Sequence, residues 1–160
     1  MANNKIDYSG RTVDLLLLKT VMAVPVVNKR VGIDVSDDPM IVTGVEKMVQ
    51  RFAIAFINAI GSTKFMPDHG TNLVPRVAAG MVYDMATLEM EAASANMLAI
   101  GQIISADEDE ETPDDERLVS SEITGLEYLR GEERVKISVR LTTAAGKSYV
   151  YIIPVGVGVH

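Results

Sequence analysis

The feature that most constrains this chain is a change of apolar period across a short acidic run. Between residues 43 and 105 apolar side chains recur at spacings of three and four, while between 135 and 155 they alternate. The first spacing places side chains on one stripe of a helix, and the second places them on one face of a strand. The order, helices first and strands after, predicts an α+β fold: two main helices packed on a small three-stranded antiparallel sheet. Residues 1–40 mix polar residues with short β-branched and Leu runs and end in the turn-rich "DVSDDPM". They are expected to form an extended N-terminal arm ahead of a single domain at 41–160.

The first helix is expected to start at Thr43, because Thr43-Gly44-Val45-Glu46 has the form of a capping box. Apolar residues then follow at Val45, Met48, Val49, Phe52 and Phe56, with Lys47, Gln50 and Arg51 between them. "FAIAFINAI" is apolar almost all round, which suits burial against more than one neighbour. Gly61 is expected to end the helix as a left-handed stop. A second helical region breaks near Gly80. Beyond it, Met81, Met85, Leu88, Ala92, Ala95, Ala99 and Ile103 form one core-facing stripe.

In the C-terminal part, Val135, Ile137, Val139 and Leu141 alternate with Lys136, Ser138, Arg140 and Thr142, which reads as a half-buried strand. "TTAAGK" turns the chain, with Gly146 at the position expected to take positive φ. "SYVYIIPV" is the partner strand, whose end Pro154 places at a sheet edge. "RLVSSEITGLEYL" completes an antiparallel meander.

The 160 residues carry a net charge of −7. Eight carboxylates and one arginine between Asp107 and Arg117 account for that whole excess, so the rest of the chain is balanced. A body without a basic face gives no reason to expect nucleic-acid binding. The acidic loop 106–116 reads as a solvated connector. The absence of cysteine excludes disulfides, thiolate nucleophiles and cysteine-bound zinc. "VDLLLLKTVMAVPVV", interrupted by Lys19 and Pro25, is too short to span a bilayer, and the start lacks the pattern of a signal peptide. A soluble, non-exported protein that meets no membrane is expected.

Two constellations invite a catalytic reading. "FMPDHGTNL" (65–73) brings Asp68, His69 and Thr71 together, yet residues this close on a turn do not converge as known triads do. The simpler reading is a corner between helices, in which Gly70 takes positive φ and Thr71 or Asn72 caps the next helix. His69, Gly70 and Thr71 then become interface candidates. Within the acidic run, an EF-hand loop starting at Asp107 would need Gly and Glu where Thr112 and Leu118 stand. No phosphate-binding glycine pattern occurs either. The residues therefore point to no catalytic, cofactor or metal site.

The order helix, "HGTNL" corner, second helix, acidic triplet and closing meander resembles the small baseplate wedge, or sheath-initiator, proteins of contractile phage tails, with relatives in type VI secretion baseplates. The resemblance spans roughly residues 41–155. The family's triplet reads Glu-Pro-Arg. Here Asp115 stands for the acid, Glu116 replaces the proline and Arg117 matches. The resemblance implies a structural protein of the virion, made in the host cytoplasm and present in six copies around the tail axis, that joins larger baseplate wedge proteins to the tail tube. It implies wedge docking through Asp115, Glu116 and Arg117. It also implies that Tyr149, Val150, Tyr151, Ile152 and Ile153 offer a free edge on which the tail sheath protein adds a strand. The alternatives are a carboxylate-based glycan hydrolase and a tail connector or completion protein.

Overall fold

The computed structural model describes residues 41–108, 111–129 and 134–156, together with the backbone of three short strands before them. The turn cluster expected at 34–40, acidic residues 109–110 and the tail 157–160 lie outside the described residues. The elements are β1 (Asp14–Leu15), β2 (Lys19–Met22), β3 (Asn28–Gly32), β4 (Ile41–Val42), α1 (Val45–Ile57), α2 (Leu73–Ala78), α3 (Met85–Glu108), β5 (Leu118–Leu129), β6 (Arg134–Thr143) and β7 (Ser148–Gly156).

The fold is α+β, as the period change predicts. The meander β5-β6-β7 is antiparallel throughout, and Gly146 turns the last hairpin at φ 75°. The sheet is larger than expected, because β3 joins β7 in parallel and β2 pairs antiparallel with β3, which gives the order β2-β3-β7-β6-β5. A separate two-stranded ribbon pairs β1 with β4.

The alternation in β6 sorts its side chains as the sequence requires. Val135, Ile137, Val139 and Leu141 are buried, together with Tyr151, Ile153 and Val155 from β7. Each such aliphatic side chain contributes about 1.5–3 kcal/mol of transfer free energy. The other face carries polar cross-strand pairs, with Arg140 to Glu122 at 2.8 Å and Lys136 to Glu127 at 3.4 Å. Helices cover the apolar face. From α1 come Met48, Phe52 and Phe56, the two rings stacked with centroids 5.7 Å apart, and from α3 come Leu88, Ala92, Ala95, Ala99 and Ile103.

Three boundaries differ from expectation. The cap of α1 falls on Gly44 rather than Thr43. The same helix ends at Ile57, because Asn58 turns to extended φ/ψ and Ala59 bridges to Thr71; Gly61 has its positive φ in the turn beyond. Finally, α3 starts at Met85 behind an Asp84 cap, whose Oδ1 accepts the Thr87 amide at 2.7 Å, so Met81 and Met85 lie exposed outside the core stripe.

Candidate functional site

The acidic triplet divides between the interior and the surface. Residues 113–117 form a tight turn in which the Glu116 and Arg117 amides both donate to the Pro113 carbonyl at 2.9 Å. The β6–β7 turn clasps it, with Ala144 donating to the Arg117 carbonyl and Ala145 to that of Asp114. That turn aims Glu116 inward, where it is 1% exposed. Its Oε1 accepts the Gly44 amide at 2.7 Å, and its Oε2 lies 3.7 Å from the Lys47 ammonium. Gly44, at φ 65°, has no side chain with which to cap α1. A carboxylate 72 residues away in sequence performs that task at the positive end of the helix dipole. The expectation that Glu116 docks a wedge protein is therefore corrected: it is an internal cap for α1. Asp115 is half-buried, whereas Arg117 is exposed and pairs with Asp114 at 2.7 Å.

The solvated-connector reading also needs correction at its first carboxylate, Asp107. Helix α3 continues into the acidic run, and Asp107 is buried. A carboxylate at a helix C-terminus is unfavourable in itself. Arg51 on α1 offsets it with a 2.7 Å contact to Oδ1, which also accepts the Thr112 hydroxyl at 3.2 Å. Oδ2 has no hydrogen-bond partner among the described residues. Lys47 and Arg51, one turn apart on α1, thus anchor the two ends of the acidic segment. In the sequence they look like the polar side of an amphipathic helix. Their only local signal is that spacing.

At the corner, Gly70 takes φ 111°, and a Cβ there would stand 2.5 Å from the Asn58 carbonyl oxygen. The Gln102 side chain holds this glycine from α3, accepting its amide and donating to its carbonyl, both at 3.0 Å. The buried Thr71 hydroxyl donates to the Phe56 carbonyl at 2.7 Å and accepts the Leu73 amide at 3.3 Å. That hydroxyl is thereby committed to main-chain contacts at the start of α2. His69 and Asp68 are exposed, and His69 lines a cleft of about 360 Å³ with Arg51, Met66 and Gln102. The arrangement is that of a helix-to-helix corner with an imidazole on its rim.

The last strand departs most from expectation. Its outer edge pairs with the chain's own β3, in register Asn28 to Val150, Lys29 to Tyr151 and Arg30 to Ile152. The edge expected to be free at Tyr149, Val150, Tyr151, Ile152 and Ile153 is therefore occupied at Val150, Tyr151 and Ile152. Pairing ends two residues before Pro154. Tyr151 and Ile153 point into the core, while Tyr149, Val150 and Ile152 are half-buried. Burial, reinforced by neighbouring Tyr149 and Glu46, pushes the Tyr151 phenol well above its ordinary pKa, and its hydroxyl lacks a hydrogen-bond partner among the described residues.

Among the described residues no group of three or more histidine, aspartate or glutamate side chains is placed to hold a metal ion, and no helix is long and apolar enough to cross a membrane. No family model and no curated protein matches the chain.

Proposed function

We propose that this chain is a structural component of a contractile tail baseplate, which joins the wedge to the tail tube and templates the first sheath ring by strand addition at β7. The observation that carries the reading is the contrast between the two sides of β7. Nine antiparallel residue pairs bind it to β6, but three parallel pairs bind it to β3. Parallel pairing is slightly weaker per residue, and the β2–β3 hairpin reaches the sheet through those pairs. A strand from a sheath subunit replaces β3 on β7, so β3 serves as a placeholder that keeps the edge covered before assembly. The order of elements around the corner and the exposed Arg117 also support this reading. Asp115 and Arg117 are retained as wedge-docking residues, and the virion as the location.

An engineered disulfide tests it. Asn28→Cys with Val150→Cys places two thiols at directly paired positions. In tails assembled with the oxidised chain, tubes and baseplates are expected without sheath, and reduction restores the sheath. Sheathed tails assembled with the oxidised chain reject strand replacement at β7.

A further inference from the structure

Helix α3 has an outer face that the described residues do not cover. The stripe made by Leu88, Ala92, Ala95, Ala99 and Ile103 already faces the core. On the solvent side, no exposed position between Glu89 and Glu108 carries a charge. Met90, Met97 and Ile104 stand there at a spacing of seven, exposed by 62%, 73% and 37%. Solvent-facing sides of helices are ordinarily polar, and a continuous apolar one marks a contact surface. A repeat of seven is the spacing along which a second helix packs.

Two observations state what would lie there. Gly101 sits in the helix interior on this face, and no heavy atom beyond the helix's own backbone lies within 4 Å of where its Cβ would stand. An interior glycine weakens a helix relative to alanine, and no packing among the described residues requires one here. It leaves room for the close approach of another backbone. The stripe also ends in acids. Glu89 and Glu108 flank it, and at the C-terminal end a cleft of about 500 Å³ is lined by Ile104, Asp107, Glu108 and Arg117. Asp107, buried in the wall of that cleft, has the carboxylate oxygen without a partner among the described residues. A second copy of this chain is a poor occupant, because its stripe also ends in Glu89 and Glu108, and Arg117, the base in the cleft, is already paired with Asp114.

We propose that the outer face of α3 seats one amphipathic helix of a partner protein, apolar at heptad spacing and basic at both ends. The apolar residues of that helix interleave with Met90, Met97 and Ile104 over roughly 20 Å of helix axis. Its backbone crosses at Gly101, and a terminal lysine or arginine meets the exposed Glu108 at the mouth of the cleft. This surface is separate from the β7 edge.

The probe is a synthetic 21-residue helical peptide with leucine at heptad positions and lysine at both ends, titrated against the full chain by fluorescence anisotropy. Two control peptides carry the same residues in scrambled order, or glutamate at the ends. Saturable binding is expected, at least tenfold weaker for either control. Met97→Glu and Gly101→Leu are each expected to weaken it at least tenfold while the chain stays folded by circular dichroism. Gly101→Ala is expected to raise the melting temperature of the free chain while weakening binding. Equal binding of the scrambled peptide, no binding of any peptide, indifference to Met97→Glu, or a sedimenting dimer that Met97→Glu dissociates would each overturn the proposal. The oxidised Asn28→Cys/Val150→Cys chain should bind the peptide as the unmodified chain does, so the two readings fail independently.

Discussion

Glu116 separates a structural role from a docking role most sharply. Truncation to alanine removes the acceptor for the Gly44 amide and the counter-charge of Lys47, a side chain with 10% of its surface exposed. Breaking a buried pair by deleting one partner costs about 3–5 kcal/mol. The 3.7 Å separation is long for such a pair, which puts Glu116→Ala at the lower end, about 3 kcal/mol. Glu116→Gln keeps an oxygen for the Gly44 amide and loses the charge, so about 1–2 kcal/mol is expected. Urea unfolding followed by far-UV circular dichroism measures both, with Asp114→Ala as an exposed control within about 0.5 kcal/mol of the unmodified chain. Adding Lys47→Met to Glu116→Ala should show a cost smaller than the sum of the two single changes, since the two side chains are in contact. If Glu116→Ala unfolds at the same urea concentration as the unmodified chain, the internal-cap argument is wrong.

Two further substitutions probe the corner and the core. Gly70→Ala forces a Cβ to 2.5 Å from the Asn58 carbonyl at a φ of 111°, so a loss of at least about 2 kcal/mol is expected in thermal melts; an unchanged melting temperature would mean that the corner relaxes freely. Tyr151→Phe removes a buried hydroxyl without a partner and should stabilise the chain by about 1 kcal/mol in denaturant titrations. Because the folded phenol's pKa is raised, its contribution is present below the unfolded value of about 10 and falls as pH rises above it. The phenylalanine variant should therefore lose less stability between neutral and strongly alkaline pH, and parallel pH profiles would refute the assignment.

The parts of the fold legible in the sequence are those set by local periodicity. Alternation along β6 and the three-and-four spacing of Leu88, Ala92, Ala95, Ala99 and Ile103 depend on a neighbourhood of a few residues, and both specify the buried face. What escaped depends on partners distant in sequence. Thr43 and Glu46 have the form of a capping box, but the chain enters α1 through Gly44 at positive φ, where the carboxylate of Glu116 receives its amide. Composition suggests that eight neighbouring carboxylates are all solvated, yet Asp107 and Glu116 turn inward because Arg51 and Lys47 await them on α1. The pairing of β3 with β7 leaves no mark in either strand, since a strand's own pattern does not name its neighbour. Of the candidate interface residues, the roles of Gly70 and Thr71 in the corner could be read locally. The inward turn of Glu116 could not.

The parallel junction of β3 with β7 also governs the order in which the molecule can be completed. Residues 28–30 leave the ribosome more than a hundred residues before their partners at 150–152 exist. During synthesis the helices can collapse on one another first, while the sheet waits for the last segment to emerge. Closure of a loop that long makes this the slowest contact to establish. The C-terminal ribbon therefore acts as a clasp, and a chain interrupted before it is finished would lack β7, the strand that joins β3 to β6.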